Sequence, residues 1–315
     1  MIRYWKLGFF PILLTGAALL GTTQPPQALK IEKKLTYIPA GSGQKPFNVT
    51  RHIIRLADIQ AGGPPKDGIP ALNYPSFVSA VEAGRLLRAS DIVLGVEFGA
   101  TAKAYPVRIL NWHEVVNDTV GRQPVLISWC PLCGSGIVFD PRIDGQTGTF
   151  GISGLLYKRN LLLYDHATES LWSQLGTIAV AGALAGTELH ILPSTETTWT
   201  AWRNQHPQTL VLSFMTGYKR DYSADPYGNW SMDRRSALVV QAHGKVKLYP
   251  FAQLKKTVSP FTDDFDGTKI AIRFDSRNQT AVAEEPKKDE PVAYFVAYLA
   301  DARAFYPHAP IFKAR

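Results

Sequence analysis

Residues 127–140, Ile-Ser-Trp-Cys-Pro-Leu-Cys-Gly-Ser-Gly-Ile-Val-Phe-Asp, hold the only two cysteines of the chain, Cys130 and Cys133. An apolar, β-prone run leads in at 125–129 and another leads out at 137–139. Between them Pro131 presets a turn, and Gly134 supplies a position where a positive φ costs little. The pattern predicts a hairpin with both sulfurs at its bend and pointing inward. A thioredoxin-type dithiol opens a helix whose N-terminus activates the first thiol. Here Gly134-Ser135-Gly136 and the β-branched pair Ile137-Val138 make a poor helix start. The spacing reads as a metal knuckle, half of a tetrahedral site. The alternatives are a redox-active dithiol and a small disulfide that only closes the hairpin.

The N-terminus speaks to location. Arg3 and Lys6 precede an apolar stretch at 7–20, which Gly21-Thr22-Thr23 closes. These are the parts of a secretory signal, and the apolar core is too short and too interrupted by Pro11 for an ordinary spanning helix. No clean Ala-x-Ala follows, so residues 1–23 are read as a cleaved signal peptide or an uncleaved N-terminal anchor. Export to the periplasm or the outer face of the membrane follows from either, and such an anchor is the only membrane contact expected. Residues 24–46, rich in Pro, Gly, Lys and Gln, read as a tether, and residues 47–315 as a single domain.

The net charge is +8, but the basic residues come singly or in pairs, so a solvated surface is expected rather than a nucleic-acid partner. Two stretches echo one another. Val96, Lys103, Tyr105, Pro106 and Leu110 recur at a constant offset as Val240, Lys247, Tyr249, Pro250 and Leu254. Their surroundings suggest an internal repeat, about 96–139 and 240–275, and Tyr306-Pro307 adds a third Tyr-Pro near the C-terminus. The expected fold is therefore α+β: a β-rich body with two pseudo-repeated strand/helix units and short helices. Strands are predicted at 148–157 and 160–164, and a helix over 197–206 stopped by Pro207. The Pro/Gly/Tyr segment 220–230 is too aromatic for a plain linker.

Five motifs together carry a family resemblance. They are Asn111-Trp-His-Glu-Val-Val-Asn-Asp118, Trp129-Cys-Pro-Leu-Cys-Gly-Ser-Gly136, Phe150-Gly-Ile-Ser-Gly-Leu-Leu-Tyr157, Leu171-Trp-Ser-Gln174 and Thr216-Gly-Tyr-Lys-Arg-Asp-Tyr222. With them the chain resembles the bacterial and archaeal family called domain of unknown function 3179, from about Asp91 to Pro307. The resemblance implies one folded unit, frequently exported, centred on the Cys-Pro-Leu-Cys-Gly segment, and it transfers no activity. Lys158-Arg159 stand where small or polar residues are more usual.

Thiolates are soft ligands and imidazole a borderline one, so Cys130 and Cys133 with histidine would suit zinc or copper(I). His113, just before the cysteine hairpin, and His166, just after the next one, are the first choices to complete the site. His52, His190, His206, His243 and His308 rank lower. Asp140 or Asp165 is placed to orient an imidazole, since metal-bound histidines commonly donate their second N–H to a carboxylate, and either also fits a turn cap. Trp129, Tyr157, Tyr164 and Trp172 are candidate pocket walls or plain core.

Several chemistries are excluded. His113-Glu114 is not a zinc-protease motif, because position 117 is Asn where the second histidine belongs. Residues 151–154 lack the spacing of a nucleophile elbow. With no phosphate-cradling or dinucleotide-binding glycine pattern, no nucleotide cofactor is expected. Three functions remain: an exported soft-metal protein; a thiol enzyme with Cys130 as nucleophile and Cys133 resolving; and a non-catalytic binding or assembly module.

Overall fold

The computed structural model describes residues 28–228, 235–265, 267–284 and 292–314. Residues 1–23, read as a signal peptide or anchor, the first tether residues and Trp230 lie outside the described residues. Three larger sheets and a smaller one make the body. In the first sheet the strands Lys245–Pro250, Ser236–Ala242, Ala293–Tyr298, Ser135–Phe139, Gln123–Cys130, Val115–Val120 and Leu72–Asn73 lie side by side in that order. A second seven-stranded sheet is built around Phe150–Tyr157, Asn160–Asp165, Leu171–Ser173 and Ile178–Ala181. A five-stranded sheet contains Ile92–Phe98 and Thr101–Pro106, and a three-stranded sheet spans Phe261–Phe265 to Thr280–Glu284. Residues 28–46, read as tether, carry the short strands Lys30–Ile31 and Tyr37–Ile38, paired to Arg51–His52 and Phe47–Asn48.

The expected α+β body of two equivalent units is corrected by this architecture. Strand accounts for 44% of the described residues and helix for 12%. Each echoed segment forms a hairpin and then a short helix, Val107–His113 in one and Phe251–Leu254 in the other. The hairpins, however, join different sheets. The first belongs to the five-stranded sheet, while the second pairs into the sheet that carries the cysteines. The strands that follow diverge as well, entering that same sheet in one case and the separate three-stranded sheet in the other. What the segments share is local: Lys103 and Tyr105 hold Asp118, and Lys247 and Tyr249 hold Asp263. Such a clamp fixes a hairpin against its neighbour without dictating which sheet the hairpin joins.

Local signals were otherwise followed closely. The 148–157 and 160–164 strands appear as Phe150–Tyr157 and Asn160–Asp165. The predicted helix runs Trp199–Gln205, with the Thr198 side chain accepting from the Ala201 N–H at its start. The main core lies between the two seven-stranded sheets and includes Phe139, Phe150, Leu162, Trp172, Cys130 and Cys133, none more than 1% exposed. Burying one such large apolar side chain stabilises by roughly 1.5–3 kcal/mol, and the cysteines are embedded in this cluster. Among the described residues no helix is long and apolar enough to cross a membrane.

Candidate functional site: a buried dithiol beside an acid-walled cleft

The cysteine bend is the predicted hairpin. Gln123–Cys130 pairs antiparallel with Ser135–Phe139, Cys130 opposite Ser135 and Trp129 opposite Gly136. The Cys133 N–H donates to the Cys130 carbonyl at 3.1 Å, and the Tyr298 N–H donates to the Cys133 carbonyl at 2.7 Å, pinning the turn to the neighbouring strand. Gly134 has φ +51, and a Cβ there would lie 2.4 Å from the Tyr298 ring. Only glycine meets both demands.

The two sulfurs are unbridged and in contact with each other. The neighbouring Cys130 sulfur, then burial, then the nearby Asp301 push the Cys133 thiol well above its ordinary range, while Asn160 pulls the other way. The Cys133 thiol is therefore held in its protonated form.

The Cys133 side of the bend is buried and internally bonded. Asn160 Nδ2 donates to Cys133 Sγ at 3.6 Å and to Gln174 Oε1 at 2.9 Å. Gln174 Nε2 donates to Ser128 Oγ and to the Ser135 carbonyl, while Ser135 Oγ donates to Gln174 Oε1. All four polar side chains are fully buried.

The Cys130 side borders a cleft of about 410 Å³, whose walls include Cys130, Leu132, Trp112, Glu114, Arg220 and Tyr227. Glu114 stands at the end of the Val107–His113 helix in a left-handed conformation, φ 56 and ψ −28, that non-glycine residues rarely adopt. Its carbonyl accepts from the Trp129 N–H at 2.7 Å, which stitches the helix end to the cysteine strand. Its carboxyl accepts a hydrogen bond from Tyr227 Oη at 2.6 Å. Burial pushes that carboxyl up to about 7 against the pull of the tyrosine. The Tyr227 hydroxyl is held well above its ordinary range by burial first, then by Glu114, with a contribution from Cys130. Glu114 is therefore an acid that gains and loses its proton near neutrality.

The histidine and aspartate candidates lie elsewhere. His113 Nδ1 is bonded to the Pro70 carbonyl at 2.8 Å and Nε2 to Tyr222 Oη at 2.7 Å, so both ring nitrogens are occupied. Burial lowers its basicity. His166 is exposed, with Nδ1 on Thr149 Oγ1 and its ring edge-on to Tyr164. Asp165 accepts from the Thr168 N–H, Thr168 Oγ1, the Ser170 N–H and Trp172 Nε1, serving the turn beyond its strand. Asp140 is paired with Arg142, which holds its carboxyl below the ordinary range. Among the described residues no three His, Cys, Asp or Glu side chains gather as a metal-ligand set. Of the aromatic candidates Trp129 flanks the bend, donating from Nε1 to Asn111 Oδ1 at 2.7 Å, whereas Trp172 is fully buried core.

Sequence reasoning missed Glu114, Tyr227, Asn160 and Gln174. Glu114 was visible only as half of a failed protease motif. Tyr227 lay in the loop singled out as too aromatic, and Gln174 closed one of the five motifs.

A β-rich body holding a buried, unbridged Cys-x-x-Cys pair at a hairpin bend is the class the fold and site define. The profile of the family described as "Protein of unknown function (DUF3179)" matches residues 66–305, and the chain belongs to that family. No curated protein and no solved structure matches it.

Proposed function

We propose that the chain is an exported thiol–disulfide protein whose Cys130 exchanges with a disulfide-bearing partner in the cleft, Cys133 resolving. The supporting observation is the asymmetry of the pair: Cys130 borders the cleft with Glu114, while the Cys133 thiol, pushed upward, sits over a bonded floor. The Cys130–Cys133 turn keeps the two Cα atoms within about 7 Å, inside the span a disulfide bridges. In the reaction the Cys130 thiolate attacks one sulfur of the substrate disulfide. That S–S bond breaks, and the departing thiolate takes a proton from the Glu114 carboxylic acid. Cys133 then gives its proton to the Glu114 carboxylate and attacks the Cys130 sulfur, and the second substrate sulfur leaves as a thiolate that takes that proton back from Glu114. Two electrons pass to the substrate and a Cys130–Cys133 disulfide remains. A carboxyl titrating near 7 serves both as donor and as acceptor in these steps. The basic, apolar N-terminal segment supports export, and an oxidising compartment is where such a pair cycles.

The test is equilibration of the full chain with graded reduced and oxidised glutathione, alkylation with N-ethylmaleimide and intact mass. Expected is a reversible two-hydrogen loss in the native chain, with Cys133→Ser trapping glutathione on Cys130. Thiols that stay reduced at every ratio overturn the reading.

A second reading rests on the same sulfurs lying unbridged and side by side. In it Cys130 and Cys133 bind a soft ion, copper(I) or zinc, with the remaining ligands supplied from outside, because both His113 nitrogens are occupied and His166 bonds Thr149. Elemental analysis after anaerobic purification decides it. One copper or zinc per chain, lost in Cys130→Ser, assigns the pair to metal binding.

A further inference from the structure

Across the bend from the dithiol cleft lies a second cavity of about 350 Å³. The two share Asn111, Pro131 and Tyr227, so the cysteine turn is the partition between them. Its walls include the aromatic side chains of Trp129, Tyr227, Phe251 and Tyr298 and two acidic groups, Glu196 and Asp225. None of the described lining residues is basic. Glu196 comes from the strand Thr195–Thr198, paired with Leu94. As a residue it is half-buried, but its Oε2 is closed off from solvent and makes no hydrogen bond. It is the one such buried side-chain atom among the described residues. An unbonded buried oxygen costs stability in the empty protein, and structures keep such groups where something else satisfies them. Asp225 is already committed in part, its Oδ1 accepting from the Tyr227 N–H at 2.9 Å and Asn111 Nδ2 at 3.3 Å.

We infer that this cavity binds a small organic cation, an alkyl ammonium group, with Glu196 as its counter-ion and the surrounding aromatic rings as its walls. Carboxylate and ring faces together are how proteins hold such cations, and the volume falls within the ordinary range for small-ligand sites. Burial, the sole cause, pushes the Glu196 carboxyl up to about 8, so the empty site is mostly protonated at neutral pH. A bound cation favours the ionised form. Binding at pH 7 therefore releases close to one proton, and this release fades above about pH 9. The sulfurs take no part in this binding.

The test is calorimetric titration of the full chain with cadaverine, beside 1,5-pentanediol as its uncharged counterpart. Measurements in two buffers of different ionisation heat count the protons released. Expected is saturable one-to-one binding of cadaverine only, with proton release at pH 7. In Glu196→Gln the affinity falls at least tenfold and the release disappears, while thermal stability is unchanged or higher. A merely structural carboxyl would instead lower stability. Should Glu196→Gln fail to fold, Asp225→Asn is the second variant, expected to weaken cadaverine several-fold and to leave the proton release in place. Cys130→Ser/Cys133→Ser binds cadaverine as the native chain does, which separates this inference from the thiol reading. Equal binding of the diol, absence of saturation, or proton release that survives Glu196→Gln each overturns it. So does displacement of cadaverine by millimolar calcium, which would make the site one for a metal ion.

Discussion

The two flanks of the cysteine bend bury polar groups in opposite ways. Under Cys133, the Ser128, Ser135, Asn160 and Gln174 side chains are each bonded to a partner within the protein. Beside Cys130, Glu114 has a single hydroxyl partner, a carboxyl raised to about 7 and a left-handed backbone. The first arrangement holds one geometry, since any missing member leaves buried groups unpaired. The second leaves a proton free to move near neutral pH. Rigid support and labile protonation are thus divided between the two sides of one turn, and each side can be disturbed separately.

The largest effect is expected on the bonded flank. Gln174→Ala deprives Asn160 Nδ2 and Ser135 Oγ of their shared acceptor and leaves a void in a buried core. Unpaired buried groups cost about 1–3 kcal/mol each. A loss of about 3–5 kcal/mol in urea unfolding is expected. A loss below about 1 kcal/mol would show the network to be ornamental, and the contrast between the flanks would fail.

On the other flank the effect is one of pH. Glu114 is raised from 4.5 to about 7 in the folded chain, so between those values the folded state holds the extra proton. Stability from this group is fully present below about 4.5 and is lost as pH rises through about 7. A shift of that size corresponds to about 3 kcal/mol. Glu196 acts with the same sign up to about 8. His113 acts oppositely below its ordinary value, because burial lowers it. The difference between native chain and Glu114→Gln isolates the term: it should grow from pH 5 to 8 in favour of the variant. A difference independent of pH would place Glu114 outside the titrating set.

The turn itself was legible in the sequence, and the polar groups on its two flanks were not. The hairpin followed from β-prone runs around Pro131 and Gly134, because turn chemistry is local. His113 also looked like a ligand from its place in the chain. Whether an imidazole faces a sulfur depends on how the helix end packs, and here it packs against Pro70 and Tyr222, residues remote in sequence. The pairing of Glu114 with Tyr227 spans more than a hundred residues and two elements, beyond the reach of periodicity. The two Tyr-Pro segments show the same limit. Their Lys, Tyr and Asp contacts repeat locally, while sheet membership was set by which edges remained open to pair.

A smaller loss is expected at the turn itself. Gly134→Ala places a Cβ against the Tyr298 ring in a left-handed backbone, for about 2 kcal/mol. It should also slow Cys130–Cys133 disulfide formation, because the strand that pins the turn must shift. Unchanged disulfide kinetics alongside lost stability would mean that the turn geometry serves folding alone.

The smallest effect sharpens the labile side. Tyr227→Phe removes the hydroxyl that donates to Glu114 Oε1. That bond lowers the Glu114 carboxyl against the upward push of burial, so its loss moves the carboxyl further above 7. Stability at pH 5 should fall by only about 1 kcal/mol, the net worth of one hydrogen bond. The pH profile of N-ethylmaleimide reaction at Cys130 carries the signal, because a neighbouring carboxyl that ionises changes the charge beside the thiolate. Its inflection near 7 should move upward in Tyr227→Phe and disappear in Glu114→Gln. An inflection that stays in place in both variants would show that the cleft acid does not sense the dithiol, and the two flanks would then differ in bonding but not in chemistry.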